Sequence, residues 1–246
     1  MSHIHIDVEE VSFSYELGQE VLKNISFHAS ENESIGLIGA NGAGKSSLLK
    51  LLVGLGTNYT GSIRVEEMPV KKDMLPKIRE KIGYVFQDSD NQLFMSNVYD
   101  DIAFAPRNYG FSEEETERRV ENAINMVKIQ HLKDKQIYKL SGGEKKMVSI
   151  ATILGMLPDI ILMDEPSIAL DPKNRRNLIH ILNGFSHLKI IASHDLDMIL
   201  ETCTRTILLS DGKIVQDGST KEILTDKELL EANGLELPYC MQSIIN

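Results

Sequence analysis

Residues 39–46 read Gly-Ala-Asn-Gly-Ala-Gly-Lys-Ser and satisfy every fixed position of the pattern GxxxxGK[ST]. That spacing makes a phosphate cradle. Glycines at 39, 42 and 44 allow the backbone to approach a ligand closely and to turn several N–H groups onto phosphate oxygens. Lys45 is placed to reach the outer phosphates of a nucleoside triphosphate, and the Ser46 hydroxyl to ligate Mg²⁺. A helix opening just after the loop adds only about 0.3–1 kcal/mol of favourable field. The lysine and a metal must therefore supply most of the attraction.

Three further stretches end on residues able to do chemistry. Residues 83–86 form a short apolar strand pattern ending at Gln87, and residues 188–193 do the same before His194. Residues 160–163 (Ile-Ile-Leu-Met) are a continuous apolar run, as in a parallel strand buried on both faces, and stop at Asp164-Glu165. With residues 34–38 running into the cradle, four strands finish on polar groups. Ligands of open α/β sheets bind beyond the carboxyl ends of the strands, so Lys45, Gln87, Asp164, Glu165 and His194 are expected in one crevice. Transfer of a phosphoryl group from ATP to water requires charge neutralisation, a held metal and an oriented water. In that chemistry Asp164 holds Mg²⁺, Glu165 accepts the proton of the attacking water, Gln87 contacts metal and water, and His194 donates to the γ-phosphate.

The elements that must position these groups are partly legible. Ile4, Ile6 and Val8 alternate with polar residues, the phase slips at Glu9-Glu10, and Val11 and Phe13 resume it, which predicts a strand with a bulge or turn. Residues 24–28 and 62–66 complete a small antiparallel layer. Tyr15, at the end of the first strand, is either a packing residue or a stacking platform for a base. Residues 98–105 are apolar at helical spacing, and residues 112–115 form a capping box that opens a charged helix through Val127. Ser141 and Glu144 form a second box, starting a helix to about Leu157. A helix to about Thr202 follows His194, then a hairpin over residues 206–216 turning at Asp211-Gly212. Ser219 and Thr225 are expected to cap two short terminal helices.

The whole chain has 246 residues, enough for one larger domain or a core with an inserted subdomain. Its 26 basic and 36 acidic residues, net charge −10, disfavour a general nucleic-acid binder. Cys203 and Cys240 form neither a disulfide framework nor a zinc motif, which is the cysteine usage of a cytosolic chain. No apolar run reaches the roughly 20 residues of a spanning helix, and residues 1–10 lack the pattern of a signal peptide. A membrane role is expected only through a partner.

Two glycines in the first turn after Leu140-Ser141 cost a helix up to about 1 kcal/mol each relative to alanine. Bare amides at a helix start suit an anion, yet the chain already has a phosphate cradle. The economical reading is that Ser141 and its glycines bind the nucleotide of another subunit.

With that motif the order becomes recognisable. Residues 39–46, Gln87, residues 140–143, residues 160–165, Ala169-Leu170-Asp171 and His194 resemble, in sequence, the Walker A, Q-loop, signature, Walker B, D-loop and switch histidine of ATP-binding cassette (ABC) ATPases. The resemblance spans essentially the whole chain. It implies an α/β fold: a P-loop NTPase of the ABC nucleotide-binding type, with an antiparallel β layer and an inserted helical signature subdomain. The expected division is residues 1–87 and 158–218 as catalytic core, 88–157 as the helical subdomain, and 219–246 as terminal helices and tail. It also implies a nucleotide site of Tyr15 (adenine platform), Gly39, Asn41, Gly42, Ala43, Gly44, Lys45, Ser46 and Ser47, with Ser46, Gln87 and Asp164 at Mg²⁺. Glu165, His194, Gln87 and Lys45 carry catalysis. Ser141, Gly142, Gly143 and Glu144 act in trans, with Asp171 in the D-loop, in a head-to-tail dimer enclosing two ATPs. Every motif is intact, so a homodimer has two competent sites; a paralogue is the other possible partner.

Residues 83–110 and 229–238 resemble the energy-coupling-factor (ECF) branch, whose ATPases drive import through a transmembrane coupling protein and a substrate-binding membrane component. The implied place is peripheral, at the cytoplasmic face of the membrane. The chain stops at Asn246 without the extension of many vitamin-type members, which tilts the expectation from a vitamin importer to a cobalt or nickel importer. Two departures stand out: Glu144 where Gln is commoner, and Ser193 before the histidine where Thr is common. Asp88, Asp90, Asp100 and Asp101 are expected to dock a basic coupling helix. A soluble ABC clamp in translation or DNA repair is the competing class, disfavoured by the absence of paired cassettes, a long coiled-coil insertion or a basic balance. A regulator without turnover conflicts with Glu165 and His194 both being present.

Overall fold

Ile6, Val8, Val11 and Phe13 are all buried although they cannot lie on one face of a regular strand. The first strand, β1 (His5–Ser14), resolves this with a bulge. Val8 pairs with Phe27 and Val11 with Ile25, three residues against two, while Glu10 takes φ 50° and leaves both glutamates in solvent. The computed structural model describes residues 4–16, 18–56 and 58–242. The first three residues of the N-terminal leader reading and the last four of the expected tail lie outside them.

The remaining elements follow in order. They are β2 (Glu20–Ser30), β3 (Ser34–Ile38), α1 (Lys45–Leu52), β4 (Tyr59–Val65), β5 (Met68–Pro69), α2 (Leu75–Lys81), β6 (Ile82–Val85), α3 (Val98–Asn108), α4 (Glu113–Val127) and α5 (Gly142–Leu154). Then come β7 (Ile160–Asp164), α6 (Pro172–Gly184), β8 (Leu188–Ala192), α7 (Leu196–Thr202), β9 (Arg205–Ser210), β10 (Lys213–Ser219), α8 (Thr220–Thr225), α9 (Lys227–Ala232) and α10 (Tyr239–Gln242).

The chain divides into two compact units, residues 1–82, 159–164 and 186–246 in the first, residues 83–158 and 165–185 in the second. The helix α6 therefore groups with the helical unit rather than with the core in which the sequence reading put it. Asn177 on α6 donates to the Val127 carbonyl at the end of α4 (2.9 Å), which is one tie responsible.

In the first unit β2, β1, β4 and β5 make an antiparallel sheet in that order. A second sheet runs β10-β9-β3-β8-β7, with β3 parallel to both β8 and β9, β7 parallel to β8, and β10 returning antiparallel. Every residue of β3, β7 and β8 is buried, as their near-unbroken apolar runs require of interior parallel strands. The β9–β10 hairpin turns at Asp211 (φ 49°) and Gly212 (φ 76°), both left-handed as a tight hairpin turn demands.

In the second unit α3, α4 and α5 pack around Ile102, Val120, Ile124, Met147 and Ile150. Ser112 caps α4 by accepting from the Glu115 N–H (3.2 Å), but the box is one-sided. The Glu115 carboxylate instead receives Arg118 and Arg119. The helix α5 stops at Leu154, short of the expected Leu157, because Pro158 excludes the helical region for its predecessor and Leu157 turns to φ 54°. The terminal helices form where expected with different caps. Ser219 makes no side-chain cap, being the last residue of β10, and Asp226 rather than Thr225 caps α9 through the Leu229 N–H (3.0 Å). The Thr225 hydroxyl is committed to the Lys221 carbonyl (2.8 Å).

Candidate nucleotide-hydrolysis site

The loop after β3 is shaped by close approaches. A Cβ on Gly39 would fall 2.2 Å from the Leu209 carbonyl, and one on Gly44 2.6 Å from the Leu22 side chain. Gly44 also sits at φ 105° as the residue before α1, a conformation that L side chains rarely adopt. Around Gly42 nothing approaches within 4 Å, so the middle of the loop is open.

Lys45, the first residue of α1, is 6% exposed and folds back over its own loop. Its Nζ donates to the carbonyls of Gly39 (2.7 Å) and Ala40 (3.2 Å) and lies 3.4 Å from Nε2 of His194. His194 is brought there by β8, whose continuation Ser193 donates its N–H to the Leu37 carbonyl of β3 (3.3 Å). The turn that follows is closed by Asp195, which donates its N–H to the Ser193 hydroxyl and caps α7 at Met198. Ser46 donates its hydroxyl to Asp164 Oδ1 (2.9 Å), and Asp164 is 2% exposed at the end of β7. Tyr15 projects over the same helix: its ring meets Phe13 edge-on (4.8 Å), its hydroxyl lies 3.0 Å from Ser47 Oγ, and the residue is 64% exposed. An open aromatic face, an open amide loop, a buried ammonium and a hydroxyl–carboxylate pair thus lie within one unit.

The donor set fits a nucleotide and a hard cation. Mg²⁺ keeps several waters and takes one or two protein oxygens beside phosphate oxygens, so the Ser46–Asp164 oxygen pair suits it. No group of three or more His, Cys, Asp or Glu side chains among the described residues is arranged as an all-protein metal cage.

The second unit carries the other expected residues. Glu165 follows Asp164 directly, is 5% exposed and takes φ 48°, a left-handed conformation that costs a non-glycine residue on the order of 1 kcal/mol. Gln87 is exposed two residues beyond β6, and its carbonyl accepts from Lys146 Nζ (2.6 Å). Ser141 and Glu144 form a complete capping box: the Ser141 hydroxyl accepts from the Glu144 N–H (3.3 Å) and the Glu144 carboxylate from the Ser141 N–H (2.7 Å). That backbone donation, aided by Lys135, lowers the pKa of Glu144. Ser141 and Gly142 are exposed at the head of α5. A Cβ on Gly143 would lie 2.9 Å from the carbonyl of Ala169, itself at φ 67°, so the signature turn abuts the D-loop of its own chain. Asp171 caps α6 by accepting from the Asn174 N–H (2.7 Å).

Of the four acids expected to dock a basic coupling helix, Asp88 and Asp90 are exposed and Asp100 half-buried, whereas Asp101 is turned inward. Asp101 is 4% exposed and accepts from the Phe94 and Met95 N–H groups, with burial raising its pKa. Asp90 pairs with Lys145 (2.6 Å), Asp100 is engaged by Asn97 and Arg107, and Asp88 accepts from the Asp90 N–H. These carboxylates shape the segment after Gln87. Sequence reasoning also missed Lys146 and Gln92. Lys146 was detectable, since it shares a helix face with Ile150 and Leu154, four and eight residues on, both buried.

A cradle loop between β3 and α1 in a largely parallel sheet, an antiparallel layer, and a helical unit in which Leu-Ser-Gly-Gly opens α5 are the marks of a P-loop ATPase of the ATP-binding cassette class. The family model for ABC transporters matches residues 22–168, and the chain belongs to that family. It is 47% identical over 242 residues to a putative ABC transporter ATP-binding protein of Geobacter sulfurreducens, covering 98% of this chain and 97% of that one. To the energy-coupling factor transporter ATP-binding protein EcfA of Carboxydothermus hydrogenoformans it is 38% identical, covering 98% and 90%. The structure of cbiO1 from Clostridium perfringens, part of the ABC transporter complex cbiONQ, superposes with a TM-score of 0.80 at 35% identity, covering 92% of this chain and 93% of that one. No helix among the described residues is long and apolar enough to cross a membrane.

Proposed function

We propose that this ABC ATPase energises an ECF-type importer from the cytoplasmic face of the membrane, working as a pair of cassettes that share two ATPs. The observation that carries the paired reading is the exposed Ser141-Gly142 turn at the head of α5. The turn is exposed in a chain whose Lys45 loop already supplies a phosphate cradle. The likeness to EcfA and to cbiO1 supports the ECF branch and a membrane complex.

In this reading the Gly39–Ser46 loop and Lys45 bind the phosphates, with Asn41, Ala43 and Ser47 completing the contacts and Tyr15 stacking on adenine. Ser46, Asp164 and Gln87 hold Mg²⁺, which when bound neutralises charge on the outer phosphate oxygens. Glu165 takes the proton of the attacking water. Its burial restricts the positions open to the carboxylate. His194, beside the Lys45 ammonium, donates to the γ-phosphate. Ser141, Gly142 and Gly143 bind the partner's nucleotide, with Glu144 holding their turn and Asp171 the adjoining D-loop.

Cargo never touches an ATPase subunit, so cobalt or nickel, with a vitamin as the alternative, is proposed from branch resemblance alone. The test is to purify the native complex from membranes, identify its integral subunits, and measure ATP-dependent uptake of radiolabelled Co²⁺, Ni²⁺ and vitamins in proteoliposomes. Recovery of the chain without any membrane protein would sink the importer reading.

A further inference from the structure

The helix α5 begins with the signature turn and, within its first turn and a half, carries Lys146, 2% exposed and the bulkiest of the fully buried side chains. A buried ammonium is costly unless its N–H groups are used. Here Nζ donates to the carbonyls of Phe86 (2.9 Å) and Gln87 (2.6 Å), the two residues that follow β6. Both carbonyls lie beyond the end of β6, where the Lys146 ammonium takes the place a strand partner would have. Two more ties hold the same segment. Gln92 accepts from the Phe86 N–H (3.1 Å) while its amide donates to the Ser149 carbonyl (2.7 Å) and the Thr152 hydroxyl (2.9 Å) of α5. Lys145 pairs with Asp90. Residues 86–92 are thereby fastened to the helix that starts at Ser141-Gly142-Gly143.

We propose that Lys146 is a positioning residue for ATP hydrolysis: it fixes the backbone from which Gln87 extends, so that Gln87 and the signature turn of the same chain move as one body. The inference rests on the reading of Gln87 as a metal and water contact. A lysine suits the task because three donors on a flexible stem reach two neighbouring carbonyls, whereas Met fills the same space with none.

The test is steady-state ATP hydrolysis by the full-length chain. Lys146→Met is expected to lower kcat about 10-fold or more with little change in KM, and to raise the Mg²⁺ concentration giving half-maximal rate. Affinity for ATP without Mg²⁺ stays at the wild-type value, and Lys146→Arg, which keeps the donors, restores most of kcat. Because Lys146 acts through Gln87, the double variant with Gln87→Ala loses no more than Gln87→Ala alone. Wild-type kcat in Lys146→Met, or additive losses in the double variant, overturns the assignment. If Lys146→Met does not fold, Lys146→Gln, with a single shorter amide, must show the same kcat-selective loss. A defective Gln87→Ala beside a normal Lys146→Met removes only Lys146, whereas a fully active Gln87→Ala removes the reading of Gln87 and Lys146 with it.

Discussion

The Ser46 hydroxyl donates to Asp164 across 118 residues of chain, joining the first turn of α1 to the last residue of β7 at 2.9 Å. A hydroxyl and a carboxylate held this way form an oxygen pair of the kind a hard cation takes. Asp164→Asn keeps an acceptor for the Ser46 hydroxyl and removes the charge. Its stability is expected within about 1 kcal/mol of wild type, while kcat falls about 100-fold or more. Mg²⁺-dependent turnover beside a thermal melt checks both; unchanged Mg²⁺ dependence would detach Asp164 from the metal.

Glu165→Gln keeps the shape of the side chain and cannot accept a proton. We expect ATP binding within about 2-fold of wild type and hydrolysis reduced by about 10²–10⁴-fold. An ATP-stabilised dimer should then accumulate, seen by size-exclusion chromatography with light scattering. Undiminished hydrolysis would remove Glu165 from the base role.

The two signature glycines separate folding from pairing. A Cβ at Gly143 meets the Ala169 carbonyl at 2.9 Å, so Gly143→Ala should cost about 1–3 kcal/mol through displacement of the D-loop. At Gly142 the nearest atom is the Ala169 Cβ at 3.5 Å, an ordinary contact. Gly142→Ala should therefore melt at or above the wild-type temperature and lose ATP-driven dimerisation. A Gly142→Ala variant that dimerises normally would speak against the trans role.

Tyr15 offers its ring to solvent above α1. Tyr15→Phe keeps the ring and loses only the Ser47 contact, so ATP affinity should change less than about 2-fold. Tyr15→Ala should weaken it about 10-fold or more, since stacking on a base is worth about 1–3 kcal/mol. Equal affinities in a fluorescent-nucleotide titration would return Tyr15 to a packing role.

Glu144 sets an acid limit on the signature turn. Donation from the Ser141 N–H, helped by Lys135, holds its folded pKa below the ordinary glutamate value. The carboxylate form is thus favoured by folding; this stability is present above the ordinary value and is lost as pH falls through the depressed one. Glu144→Gln still accepts from Ser141 and does not titrate, so its melting temperature should decline less steeply than wild type across that window. Parallel slopes would place the acid sensitivity elsewhere.

Much of the site was legible because its chemistry is local. The loop of residues 39–46 and the Ser141–Glu144 box are short-range devices whose residue types and spacing are visible in the sequence. The bulge at Glu9-Glu10 showed as a break in alternation. Among the acids after Gln87 only Asp101 faces inward, which composition alone does not say. Asp101 is buried by the fold of its own segment, and Thr225 lost the cap of α9 to Asp226 one residue later, where the hydrogen bond to the Leu229 N–H closes.

The sequence by itself determined which groups are available: the cradle, the Asp164-Glu165 pair at the end of an apolar strand, His194 and a signature turn. Tertiary structure decided which of them meet. Lys45 beside His194, Ser46 on Asp164 and Tyr15 over Ser47 join residues 32 to 149 positions apart. The parallel order β3-β8-β7 and the packing of β1 bring them together. The physical reason is range. A turn or cap is settled by neighbours within a few bonds, whereas a contact across a sheet depends on which strands pair, and pairing is chosen by burying the whole apolar surface at once.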